Sequence, residues 1–146
     1  MSLLDRQTIL SDKQAVTATA FSSDCYDTGN VSPSRNLGRL GLRAVITVDA
    51  TVTAAGAATV NFEVGTADDA AGTNFTPFFS VGPVGKAALA VGAKPLDIPI
   101  PDTSQRYVMA RYTVATGPLT AGTFTCALMR GSDFQRAYPD SYASAF

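Results

Sequence analysis

Four separated segments of this chain alternate apolar and polar residues with a period of two, and that pattern limits the fold more than any other feature. In Leu42 to Val48, the residues Leu42, Ala44, Ile46 and Val48 fall on one side, and Arg43, Val45 and Thr47 on the other. Thr59 to Val64 sets Val60, Phe62 and Val64 against Thr59, Asn61 and Glu63. Tyr107 to Val114 puts Val108, Ala110, Tyr112 and Val114 inward and Arg111 and Thr113 outward. Thr123 to Met129 opposes Phe124, Cys126 and Leu128 to Thr123, Thr125 and Ala127. Successive side chains of a strand point to opposite faces, so each segment predicts a strand with one buried face.

Weaker strand candidates are Ala15 to Ala20, Phe75 to Val81, Leu96 to Ile100 and a short piece around Cys25 to Asp27. Pro77, Pro99 and Pro101 remove ladder donors and point to sheet edges or strand ends. Gly- or Pro-bearing turns are expected at Asp68 to Gly72, Gly82 to Gly85, Gly92 to Pro95 and Thr116 to Gly122, the last as a long hairpin loop between two strong strands. Glu63 is the only glutamate, and no helical segment of about ten residues separates the strands, which argues against a parallel sheet. The chain of 146 residues has room for one domain. The expected fold is all-β: an antiparallel β-sandwich of jelly-roll type with about eight strands. Its predicted core holds Ile46, Val60, Phe62, Val108, Tyr112, Phe124 and Leu128.

The two ends lack this period. Residues 1–14 mix Leu3, Leu4, Ile9 and Leu10 with Asp5, Arg6, Asp12 and Lys13, whose charges are costly to bury unpaired. They are expected to form an N-terminal arm, with Ser2 and Asp5 at capping-box spacing for one helical turn. The sandwich is then expected over residues 15–129. Residues 130–146 form a C-terminal tail in which Phe134, Tyr138, Tyr142 and Phe146 sit among polar neighbours, either folded back on the sandwich or anchoring another chain. Candidate partner-binding residues are Leu3, Leu4, Asp5, Arg6 and Ile9 in the arm and these four aromatics in the tail.

The chemistry a chain like this can carry is narrowed by what it lacks. Histidine is absent, which removes the usual acid-base group near neutral pH and the commonest metal ligand. The expectation is a protein that is not an enzyme, with no catalytic residue, no cofactor and no metal. Asp68 and Asp69 are the only adjacent carboxylates, in a turn where Asp commonly bonds its own backbone. Asp24, Asp27 and Asp69 would make a Ca²⁺ site only if their loops converged, and no Ca²⁺-loop spacing is present. Gly82-Pro-Val-Gly85-Lys86 lacks the spacer and the hydroxyl residue of a phosphate loop. Cys25 and Cys126 read as free thiols in a reducing cytoplasm, Cys126 in the core and Cys25 in a loop or at an edge. Lys plus Arg is 11 and Asp plus Glu is 12, so there is no basic footprint for nucleic acid, and no apolar run reaches the length of a membrane helix. One local cluster remains: Arg35, Arg39 and Arg43, which can bind carboxylates or phosphates and read either as an ordinary solvated loop or as an electrostatic contact to an acidic partner surface.

The opening Met1-Ser-Leu-Leu-Asp-Arg-Gln-Thr-Ile-Leu-Ser-Asp-Lys-Gln-Ala-Val-Thr-Ala-Thr-Ala20 resembles the start of the jelly-roll capsid cement proteins, or decoration proteins, of short-tailed double-stranded DNA phages. Further similar pieces follow in the same order: Arg43-Ala-Val-Ile-Thr-Val48, Gly65-Thr-Ala-Asp-Asp69, Leu96-Asp-Ile-Pro-Ile-Pro101, Arg106-Tyr-Val-Met-Ala-Arg-Tyr-Thr-Val114 and Thr120-Ala-Gly-Thr-Phe-Thr125. The resemblance covers roughly residues 1–129. It implies a structural protein, without reaction or cofactor, that coats the outer surface of an icosahedral head and ties neighbouring major capsid proteins together. It also implies action as a homo-oligomer, dimer or trimer, made in the host bacterial cytoplasm. The competing expectation is a carbohydrate- or receptor-binding jelly-roll module of a virion, for which Tyr26, Tyr107, Tyr112, Tyr138 and Tyr142 are the available platforms, Trp being absent.

Overall fold

Nine strands pair only antiparallel in the computed structural model, which describes residues 6–29, 41–102 and 105–130. They are β1 (Ile9–Ala15), β2 (Ala20–Phe21), β3 (Tyr26–Asp27), β4 (Leu42–Thr53), β5 (Thr59–Ala67), β6 (Thr76–Gly85), β7 (Leu96–Pro99), β8 (Tyr107–Ala115) and β9 (Ala121–Arg130). Single 3₁₀ turns stand at Arg6–Thr8 and Lys86–Ala88. One sheet runs β1-β9-β4-β7 and the other β2-β8-β5-β6, with β3 also on β8.

This order is a jelly roll, and the pairings explain it. The chain is a nested hairpin in which β1 meets β9, β2 and β3 meet β8, β4 meets β7, and β5 meets β6. Rolling that ribbon brings β9 beside β4 and β8 beside β5, and closes two packed sheets. The period-two faces meet between them. Ile46, Val60, Phe62, Val108, Tyr112, Phe124 and Leu128 are all in the core. Phe62, Tyr112 and Phe124 form its aromatic centre, with ring centroids 5.2 to 6.0 Å apart. The Tyr112 hydroxyl is not stranded there: it donates to Ser11 Oγ at 2.9 Å, and Ser11 donates to Gln14 at 2.8 Å.

Four sequence expectations change. The arm does not extend to residue 14, because β1 starts at Ile9 and Leu10 is fully buried. Its edge is further tied to the next segment: Leu10 O accepts from Asp24 N, and Gln14 Nε2 donates to Phe21 O. Ala15 to Ala20 is not a strand; residues 16–19 turn from one sheet to the other. Gly82 to Gly85 is not a turn but the end of β6. There the pairing slips between Asn61/Glu63, and Gly82 takes φ +91° in a bulge while its N–H donates to Asn61 Oδ1 at 2.9 Å. Residues 116–120 are not a hairpin loop, since β8 and β9 lie in different sheets. The proline expectation does hold, because β6 and β7 are both edge strands.

Candidate functional site

Apart from residues 22–25, which join β2 to β3 along β8, the described connections fall at one of two ends of the sandwich. At one end β4 begins opposite the end of β9, Leu42 facing Arg130, and β1 begins opposite Ala127. The β5–β6 and β7–β8 connections arrive there too, as Ala67 faces Tyr107. Residues 1–5, 30–40 and 131–146 adjoin this end in the sequence. Its described surface is charged, which makes it the first candidate for contact with a partner.

Arg106 and Asp27 form a two-bond pair, Nε to Oδ1 at 2.6 Å and Nη2 to Oδ2 at 2.7 Å. The Asp27 carboxylate holds the Arg106 guanidinium pKa above its ordinary value. The same guanidinium lies 5.0 Å from the Tyr107 ring centre. Arg6 reaches Asp24 at 3.2 Å with both side chains open to water. A shallow cleft of about 330 Å³ is lined by Gln7, Cys25, Tyr26 and Asp27. Partial burial raises the Cys25 thiol pKa, and the charges of Asp27 and Asp24 raise it further. Beside this, the 68–75 loop is fastened by its carboxylates. Asp69 accepts from Ala71 N, Thr73 N and Thr73 Oγ1, and Asp68 accepts from Asn74 Nδ2 and Gln105 Nε2. Those bonds hold both carboxyl pKa values below the usual range, led by Asn74 for Asp68 and Thr73 for Asp69.

The candidate residues from the sequence fare unevenly. Arg6 is exposed at the charged end, and Ile9 is half-buried at the start of β1. Arg43 lies on the outer face of β4 as expected, but its charge is answered by Asp97, Nε to Oδ1 at 2.7 Å. Leu3, Leu4, Asp5, Arg35, Arg39, Phe134, Tyr138, Tyr142 and Phe146 lie outside the described residues. Asp24, Asp27 and Asp69 do not converge on one centre: the first two pair with different arginines and the third closes its own turn. Of the tyrosines offered as glycan platforms, Tyr112 is corrected outright, being fully buried.

A second cluster was missed. On the outer face of β5 and β8, Arg111 Nε donates to Glu63 Oε2 at 2.6 Å, and its guanidinium lies 4.7 Å from the Phe75 ring centre and 6.0 Å from that of Phe21. Thr113 Oγ1 also donates to Glu63, which is 7% exposed. The signal was present, as Glu63 and Arg111 both point outward and the ladder pairs them directly. This cluster roofs its sheet with the protein's own side chains.

The Bbp16 family model matches residues 10–128. The chain belongs to the Bbp16 family. That family is phage-related, so this is a phage-related protein. The Bbp16 match begins at Leu10 and ends at Leu128, both core residues, so it spans the jelly roll from first strand to last. No curated protein matches the chain.

Proposed function

We propose that this Bbp16-family protein is a structural cement, or decoration, protein. It binds the outer surface of the assembled phage head and links neighbouring major capsid proteins, stabilising the head against the pressure of packed DNA. The observation that carries the reading is the phage-related family match across the entire jelly roll. That match supports looking to the sandwich for the role, and much of the sandwich's outer charge is paired within the chain. Arg43 with Asp97, Arg106 with Asp27 and Arg111 with Glu63 leave a near-neutral body suited to a protein lattice.

The mechanism is linkage. A site that spans two or more capsid subunits exists only in the lattice, so each bound copy stabilises the assembled state over the dissociated one. Attachment at several points multiplies modest contacts through effective concentration. Since Asp97 answers Arg43 and Asp24 answers Arg6, the electrostatic share of attachment falls first on Arg35 and Arg39, and added salt weakens that share alone. The role involves no reaction and no cofactor.

The experiment is co-sedimentation of purified protein with heads that lack it, set against binding to unassembled major capsid subunits. Far tighter binding to heads is expected. Equal affinity for both forms removes the lattice-linked mechanism.

A further inference from the structure

The opposite end of the sandwich is unlike the charged one. Its connections, residues 16–19, 54–58, 86–95 and 116–120, hold no acidic residue, and their only charged side chains are Lys86 and Lys94. The two lysines stand differently. Lys94 lies 4.0 Å from the Asp97 carboxylate, which answers its charge. Lys86 Nζ instead donates to Ala54 O at 2.6 Å. A carbonyl fixes an ammonium without cancelling its charge, and two of the three ammonium donors are left. Among the described residues no carboxylate forms an ion pair with Lys86.

Lys86 stands in the wall of a cleft of about 370 Å³, lined further by Thr51, Val52, Ala54, Ala87 and Ala90. The turn that carries it is held in advance of any partner: Leu89 N donates to Lys86 O at 3.1 Å, Val52 N donates to Leu89 O at 3.0 Å, and Leu89 is fully buried. At the cleft, Thr51 Oγ1 accepts from Val91 N at 3.0 Å, which leaves the Thr51 hydroxyl proton to donate. Val91 itself is 64% exposed. A fixed cation beside apolar walls and a hydroxyl donor is the complement of a carboxylate on a short aliphatic stem. A phosphate site gathers several cations or backbone N–H groups, whereas this lining holds one lysine. A cement that links two subunits needs two contact surfaces, and the charged end supplies one. Resting on that reading, we infer that this cleft is the second attachment point and seats an Asp or Glu side chain of a major capsid subunit. Its carboxylate meets Lys86 Nζ, and its methylenes lie against Ala87, Ala90 and Val91.

Co-sedimentation of the full chain with heads that lack it, at low and high salt, tests the inference. Lys86→Glu is expected to weaken binding at least about tenfold, since attraction turns to repulsion, and Lys86→Gln to weaken it less. Both losses should narrow as salt rises. Lys94→Gln, whose charge Asp97 already answers, should bind like the wild type. Ala90→Asp keeps the bond from Lys86 to Ala54 and supplies a carboxylate of the chain's own at the cleft, so it should weaken binding too; it keeps the test valid if a Lys86 variant fails to fold, as thermal melting shows. A wild type that does not bind heads ends the cement reading and this inference with it. A wild type that binds, with Lys86→Glu and Ala90→Asp binding equally well, overturns the inference alone. A Lys94→Gln loss as large as that of Lys86→Gln shows general attraction and overturns it as well. So does a Lys86→Glu variant that changes the sedimentation of the free protein but not its binding to heads, which assigns the cleft to a second copy.

Discussion

The two ends of this sandwich are closed by different physics. At the charge-poor end, backbone groups bond across connections: Leu119 N to Thr17 O at 2.9 Å, Thr120 N to Thr53 O at 2.8 Å and Val52 N to Leu89 O at 3.0 Å. Leu89 and Leu119 are buried there as apolar plugs. The charged end has backbone ties too, Ile100 N to Leu42 O at 3.0 Å and Thr28 N to Arg106 O at 2.9 Å, but it adds side-chain ion pairs in contact with water, Arg6 to Asp24 and Arg106 to Asp27, and the carboxylate-fastened 68–75 loop. Buried apolar area is not weakened by screening and contributes much; exposed pairs are screened and contribute little. One end is thus built to hold the fold, and the other keeps polar groups at the surface where they can exchange partners.

The largest effect should come from cutting a plug. Leu89→Ala at the charge-poor end is expected to cost about 2–5 kcal/mol, with little change between low and high salt, as read by denaturant unfolding. Arg106→Ala at the charged end should lower the melting temperature by less, and that loss should shrink as salt rises. A reversed order, or a Leu89→Ala cost that vanishes in high salt, breaks the comparison.

Acid gives a subtler distinction. The carboxyl pKa values of Asp68 and Asp69 are lowered on folding, so their stabilisation is fully present above the ordinary value of 3.8 and is lost as pH falls through the lower folded values. The melting temperature should fall on acidification in that range, and Asp68→Asn with Asp69→Asn should flatten the fall. An unchanged slope in the double variant shows that the turn bonds contribute nothing.

The gentlest probe leaves stability alone. Cys25, half-open at the charged end, should react slowly with an alkylating reagent at neutral pH and faster as pH rises past the ordinary thiol value of 9.0, since its pKa is raised. Cys126 is fully buried, its pKa pushed up to about 12, and should stay unlabelled until the chain unfolds. Mass spectrometry should count one adduct on the native chain and two after denaturation.

Much of the fold was legible because its four long inner strands alternate in sequence, although Val45, Met109 and Ala127 on the other face are buried as well. The segments expected at 42–48, 59–64, 107–114 and 123–129 are β4, β5, β8 and β9, with β4 running on to Thr53 and β5 to Ala67. What was hidden is where alternation breaks. β1 slips register twice, between Ile9/Ser11 and Ser11/Gln14, and buries Ser11 because Tyr112 supplies its partner, so no local pattern marks it as a strand. Gly82 and Pro83 look like a turn because a bulge uses the same residues. The charged end was less legible still. Asp27 and Arg106 are 79 residues apart, and only the order β3-β8 brings them together. Periodicity reports which face a residue takes; it does not report which strand will lie beside it.

The central claim, that this protein stabilises an assembled head, is tested most directly by heating. Heads lacking the protein are saturated with it, and the temperature at which they release DNA is followed by a dye against undecorated heads. The account predicts a higher release temperature that rises with occupancy and levels off at saturation. An unchanged release temperature on fully decorated heads would contradict it, even with the protein firmly bound.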